Sequence, residues 1–411
     1  MENHFIKVAS CTLLLGIALF STSCQEPQVL FNSDKAGSER SDESAKLGDV
    51  TAFNQSDLAT RIESYMNSKV AGYGYSIISD GKEFYLNNGG GGFARKLFET
   101  NPTAHGATAK QEIVSATQYV TAVAVMKAMS HHDLPLNYPV YTFLPSQWKP
   151  TNKFMSLTFE DLLKGRSGMT YFGDEDLRVS VEKHGGPKVN SGTTTKVDYQ
   201  LLAMIVAQMH RQNLHWSGDQ SLTKKFAAAK DDAELLTVGS QVFRDYVRAK
   251  VFTPAGLENA QVMDWRAWDS NGALPKAQAT KGYPTKAGTE PGQLKADNDK
   301  NMSCGWTGLY ISASQFTKLQ YAVNKFKVIG EQRVALMKQL LIGYDGKLTG
   351  TKGAYYYKVG KGYQYNYETI SFDFGTVQVS VFANSPESDI INPEVLANMF
   401  EQSIKPLQVS L

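Results

Sequence analysis

Cysteine is nearly absent, with three residues in 411. That count excludes a disulfide-stapled scaffold and a multi-cysteine zinc site. Charge of one sign is not in excess: 42 basic residues stand against 40 acidic ones, a formal net charge of +2. Such a balance leaves no footprint for nucleic acid or another polyanion. Beyond the N-terminus no stretch reaches the ~18 uninterrupted apolar residues of a membrane-spanning helix. The histidines show no ligand spacing with Cys or carboxylates, so neither a metal nor a cofactor is expected. A phosphate loop is missing too. The four glycines Gly89–Gly92 are followed by no Lys-Ser or Lys-Thr and read as a plain loop. What is present is 42% apolar and 20% charged residues, enough for a sizeable core and against wholesale disorder. The length allows two domains, or one large domain carrying an insertion.

Lys7 precedes a mostly apolar run, Val8–Phe20, that is too short to span a bilayer comfortably but suits a signal-peptide core. Ser21-Thr22-Ser23-Cys24 follows at once and resembles a bacterial lipobox. The resemblance implies removal of residues 1–23, a diacylglyceryl anchor on Cys24, and a place in the bacterial cell envelope. Residues 24–55, rich in Ser, Asp, Glu and Lys, read as a flexible tether. Cys11 leaves with the signal and Cys24 would be acylated, so no intrachain disulfide is expected in the mature form.

Residues 56–411 read as the folded part. Leu58, Ile62, Tyr65, Met66 and Val70 recur at helical spacing after Ser56 as a candidate N-cap. Gly72–Ser79 and Lys82–Asn87 flank an Asp80-Gly81 turn signal. Ser115–Met129 is a buried helix by composition. Strands return at Tyr355–Lys358, Tyr367–Phe374 and Val377–Ala383, before a last helix over Pro393–Ile404. The expected fold is therefore α/β (α+β). Both chain ends form one antiparallel sheet flanked by helices, from residues 56–114 and 304–411, and 115–303 is a mainly helical insert.

The run Ile113-Val114-Ser115-Ala116-Thr117-Gln118-Tyr119 is followed by Leu162-Leu163 with Ser167-Gly168-Met169, then Thr253-Pro254-Ala255-Gly256-Leu257, then Gly308-Leu309-Tyr310-Ile311. That ordered set resembles the class C β-lactamase-related family of serine hydrolases and penicillin-binding proteins, over roughly residues 65–404. The resemblance implies a β-lactamase/transpeptidase-like fold and a nucleophilic serine at Ser115. It also implies a lysine three residues later, where one helical turn puts both side chains on one face. Here that position is Gln118, whose neutral amide accepts no proton at neutral pH. Lys127 lies about 13 Å further along the helix and cannot replace it.

The family's Tyr-x-Asn motif aligns with Thr194-Thr195-Lys196, which loses the Tyr base and puts Lys196 at the Asn position. Its Lys-Thr-Gly motif aligns with Lys358-Val359-Gly360. His184-Gly185-Gly186 matches a His-x-Gly string but falls in the helical insert. Tyr363 and Tyr365, with Gly360, are candidate walls of a ligand cleft.

Three readings follow. The first is a membrane-anchored member with a degenerate site, which binds a peptide- or glycan-like ligand without efficient turnover. The second is an active esterase or peptidase with Ser115 as nucleophile and Lys196 or Lys358 as a relocated base. The third is a non-enzymatic docking subunit. The sequence does not specify an oligomeric state.

Overall fold

The computed structural model describes residues 51–79, 85–173, 175–185, 196–212, 220–265, 279–294, 302–362 and 365–406. The signal segment, Cys24, the tether up to residue 50, the Asp80-Gly81 turn, Thr194, Thr195 and Tyr363 lie outside them.

Seven strands form one antiparallel sheet: β1 (Gly72–Ser79), β2 (Tyr85–Arg95), β3 (Thr103–Ala104), β4 (Gly346–Gly350), β5 (Gly353–Gly362), β6 (Tyr367–Asp373) and β7 (Val377–Ala383). Their spatial order is β3-β2-β1-β7-β6-β5-β4. The two chain ends therefore meet at the centre, where Tyr73 pairs with Ala383 and Ser79 with Val377. That is the sheet the sequence pattern predicts. Strands β1, β6 and β7 are buried along nearly their whole length, as expected for a sheet covered on both faces.

One face is covered by two helices, α1 (Gln55–Met66) and α6 (Pro393–Gln402). Leu58, Ile62, Leu396 and Phe400 pack there against Tyr75, Ile77, Phe372 and Val379. The other face carries α5 (Ala313–Asn324). Beyond it lies the helical region, with α2 (Thr117–His131), α3 (Lys196–Gln212) and α4 (Asp232–Val247). Caps set the helix starts. Ser312 and Gln315 form a reciprocal capping box for α5, and Asn392 with Pro393 opens α6. Helix α2 is mostly apolar around its circumference because Thr117–Met126 is buried throughout.

Four expectations are corrected. Thr51–Phe53 is not tether: it pairs with Ile404–Pro406, so the fold begins before residue 56. The N-cap of α1 is Asn54, whose Oδ1 accepts from the Asp57 N–H at 3.0 Å, not Ser56. Strands β3 and β4, at the two edges, are additions to the expected sheet. Finally, Gly89–Gly92 is not a loop but the middle of β2, paired with Tyr75 through Gly72. A Cβ on Gly89 would stand 2.4 Å from the Tyr75 hydroxyl, and one on Gly90 2.6 Å from the Gly106 Cα. The tyrosine rings and the neighbouring backbone fill the space that side chains would need.

Candidate active site

Helix α2 is entered through a 3-10 turn, Val114–Ala116, that carries Ser115. Val114 has φ 51, a left-handed conformation that a β-branched residue adopts only under constraint. The constraint comes from β5. Gly360 packs so closely on this turn that a Cβ there would lie 2.2 Å from the Ile113 carbonyl oxygen and 3.2 Å from the Ala116 nitrogen. The absence of a side chain at Gly360 is thus what lets the strand seat against the serine turn.

Strand β4 pairs with β5 no further than Tyr357. Past that point the outer edge of β5 is open to other partners. The Val359 N–H donates to Asp345 Oδ2 at 2.7 Å, and its carbonyl accepts from Ser115 Oγ at 3.2 Å. Both main-chain groups of one residue face the same side in an antiparallel strand. Lys361, two residues on, turns its main chain to that same edge.

Lys358 is 2% exposed. Its Nζ donates to Gln118 Oε1 at 2.9 Å and to Asp345 Oδ1 at 2.6 Å. Ser115 and Gln118, three residues apart, face one cavity of about 480 Å³. The Lys358 amine therefore sits beside the side-chain tip of residue 118, where the resemblance places the family's helix lysine. No hydrogen bond joins Ser115 Oγ to Lys358 Nζ among the described residues.

The cavity has three further walls. Leu163, Lys164 and Arg166 form one side, and Tyr199 of α3 with Trp306 another. The third is the loop Leu340–Asp345. Leu341 (φ 57) and Gly343 (φ 79) bend that loop, and the Tyr344 ring stands edge-on to Tyr119 at 5.5 Å. Lys164 pairs with Glu160 at 3.0 Å. Burial pushes the Tyr199 phenol well above its ordinary range, helped by the Asp345 charge, and its hydroxyl donates to the Leu163 carbonyl at 3.1 Å. Tyr199 is therefore a neutral wall.

Among the sequence candidates, the structure brings together Ser115, Gln118, Lys358 and Gly360. Lys196, at the start of α3, is not among the cavity-lining residues. Its Nζ donates to the Tyr171 hydroxyl at 2.8 Å and stands over the Tyr171 and Trp306 rings at the cavity's rim. Tyr365 stacks on Tyr367 at 6.5 Å and does not line the cavity. Tyr363 lies outside the described residues. His184 packs edge-on against Phe154 in the helical region, away from Ser115.

Sequence reasoning missed Asp345, Arg166, Tyr344 and Trp306. No local pattern marks them, because they converge only through tertiary packing. Tyr199 lies three residues beyond Lys196 on α3, and the sequence does not single it out as part of the site.

Comparisons agree with this fold. A family model described as Beta-lactamase matches residues 58–390. A search of curated proteins finds no match. The solved structure of FmtA from Staphylococcus aureus overlays with a TM-score of 0.59 at 17% identity, over 89% of this chain and 94% of that one. A class C beta lactamase from Rhodobacter sphaeroides gives 0.56 at 15% identity, over 84% and 99%. A D-amino acid amidase from Ochrobactrum anthropi SV3, complexed with L-phenylalanine amide, gives 0.56 at 14% identity, over 85% and 97%. At such identities these likenesses show the fold alone.

Proposed function

The chain belongs to the beta-lactamase family, and from that premise we propose a lipid-anchored envelope protein whose serine-hydrolase cleft binds a peptide- or glycan-like ligand with little turnover. The observation that carries this reading is the fate of the Ser115 proton. The hydroxyl donates to a main-chain carbonyl, and a carbonyl oxygen is no base. Gln118 stands where the family's helix lysine is expected. The Lys358 amine, in the same cavity, donates to an amide and a carboxylate. General-base assistance contributes about 10²–10⁴-fold to such reactions, and the site as built forgoes it.

The cleft itself is kept. A polar floor of Ser115, Gln118 and Lys358 faces the aromatic walls Tyr199, Tyr344 and Trp306, a combination suited to polar ligands with some apolar surface. An amidase of this fold is complexed with an amino-acid amide, so amide-bearing peptides are the first ligands to try. The anchor is supported by the Cys24 context in the sequence.

The test is equilibrium binding of soluble muropeptides, with the ligand recovered and weighed by mass spectrometry. Saturable binding, with ligand recovered intact, is expected. Ser115-dependent cleavage at an ordinary enzymatic rate, of order 1 s⁻¹ or faster, would contradict the reading and favour the active hydrolase. That second reading has one observation in its favour, the place of the Lys358 amine beside Gln118.

A further inference from the structure

We propose that Asp345 is a lock on a latent Ser115–Lys358 pair, and that removing its negative charge lets Lys358 accept the Ser115 proton. The inference rests on the impaired site described above and names what impairs it beyond the change at residue 118.

Asp345 is built into place. Its Oδ1 takes a Lys358 proton at 2.6 Å, its Oδ2 takes the Val359 N–H at 2.7 Å, and its own N–H donates to the Tyr357 carbonyl at 2.9 Å. Side chain and main chain together clamp the loop onto the edge of β5. Asp345 touches no reacting atom in this arrangement, so it is a positioning residue that acts through Lys358.

The Lys358 side chain is 3% exposed, while that of Asp345 is 35% exposed. A buried ammonium stripped of its counter-charge holds its proton less firmly. The neutral amine keeps an N–H for Gln118 Oε1 and gains a lone pair. Gln118 shares a helix face with Ser115, so that lone pair arises within the cavity that Ser115 lines.

With a fluorophosphonate the step balances. The Ser115 Oγ proton passes to Nζ while the oxygen lone pair forms the O–P bond. The P–F bond breaks with its electron pair going to fluoride. Lys358 later returns the proton to solvent.

Other groups that face the amine are accounted for. Burial holds the Tyr199 and Tyr344 phenols well above their ordinary range, so neither titrates near neutrality. Lys164 and Arg166 line the same cavity, and these cations disfavour a further positive charge at Lys358 once Asp345 is neutral.

The experiment measures the rate of labelling by a fluorophosphonate, read by intact mass on the full chain between about pH 6 and about pH 9. Asp345→Asn and Asp345→Ser are expected to label at least about tenfold faster than wild type. Their rates should rise with pH as the amine loses its proton. Asp345→Glu, which keeps the charge, should label more slowly than either. Adding Ser115→Ala should abolish the adduct in every background. A slow wild type with neutral variants that are folded by circular dichroism yet no faster, or faster without pH dependence, would overturn the lock alone. A wild type that already labels rapidly would overturn the impaired-site reading itself.

Discussion

Lys358 Nζ donates to Gln118 Oε1 at 2.9 Å across 240 residues of chain. A strand lysine thus reaches the side chain that stands where the nucleophile helix would carry its own lysine. The charge is kept in the cleft, but its protons are held by Gln118 and Asp345, and Ser115 turns instead to the Val359 carbonyl. Among the described residues, the only hydrogen bond of the Ser115 hydroxyl runs to a main-chain carbonyl and not to a side-chain base.

Gly360→Ala tests the contact that seats β5 on the serine turn. The added methyl would meet the Ile113 oxygen at 2.2 Å, against backbone that has no rotamer to yield. A loss of about 1–3 kcal/mol or more is expected, read by urea melts. An unchanged midpoint would mean that the turn is looser than described.

Lys196→Ala is expected to leave Ser115 labelling within about twofold of wild type, because general-base effects are far larger and Lys196 is outside the cavity lining. A collapse of labelling by the Gln118→Lys protein in this background would instead make Lys196 part of the chemistry.

How much of this was legible in the sequence follows from the range of each interaction. Strand alternation and turn residues gave the β5–β6–β7 meander, and the Ser115 and Lys358 motifs gave two corners of the site. The Gly89–Gly92 run misled because glycine is a local loop signal, whereas here the Tyr73 and Tyr75 side chains crowd the strand and make glycine necessary. Asp345 was invisible because its role depends on a strand edge left open by β4. Arg166 and Trp306 meet Ser115 only after α2, α3 and the sheet have packed.

Acid sensitivity should have a histidine component. Burial drives the His105 imidazole down to about 4, against a model-peptide value of 6.5. His210 goes the same way, to about 4, through burial and the Lys250 charge. In His105 the Nδ1 accepts the Gly106 N–H at 2.9 Å, a bond that protonation would destroy. Between these values the unfolded chain binds protons that the folded one refuses. Stability is therefore complete above about pH 6.5 and falls as pH drops toward 4, by up to about 1.4 kcal/mol per unit for each group. Urea melts from about pH 7 to about pH 5 should show this decline, and His105→Asn should reduce its slope to the part that His210 supplies. A wild-type curve that is flat there would contradict the burial of these rings.

Asp264 is a shared counter-charge in the helical region. Its Oδ1 meets Arg244 at 2.6 Å and Arg248 at 3.2 Å, with Asp264 and Arg244 side chains 4% and 6% exposed. Asp264→Asn removes the counter-charge that Arg244 and Arg248 share, while Arg248 keeps Asp245, and should cost up to about 3–5 kcal/mol. Arg244→Met leaves Asp264 with Arg248 and should cost less. Denaturant midpoints that reverse this order would refute the sharing.

The most direct test of the account is intact mass after exposure to a fluorophosphonate and, separately, a penicillin, for wild type, Ser115→Ala and Gln118→Lys. The account predicts little or no adduct on wild type, a clear adduct on Gln118→Lys, and none on Ser115→Ala. A rapid, stoichiometric adduct on wild type that Ser115→Ala abolishes would contradict it, because Ser115 would then already have a working base.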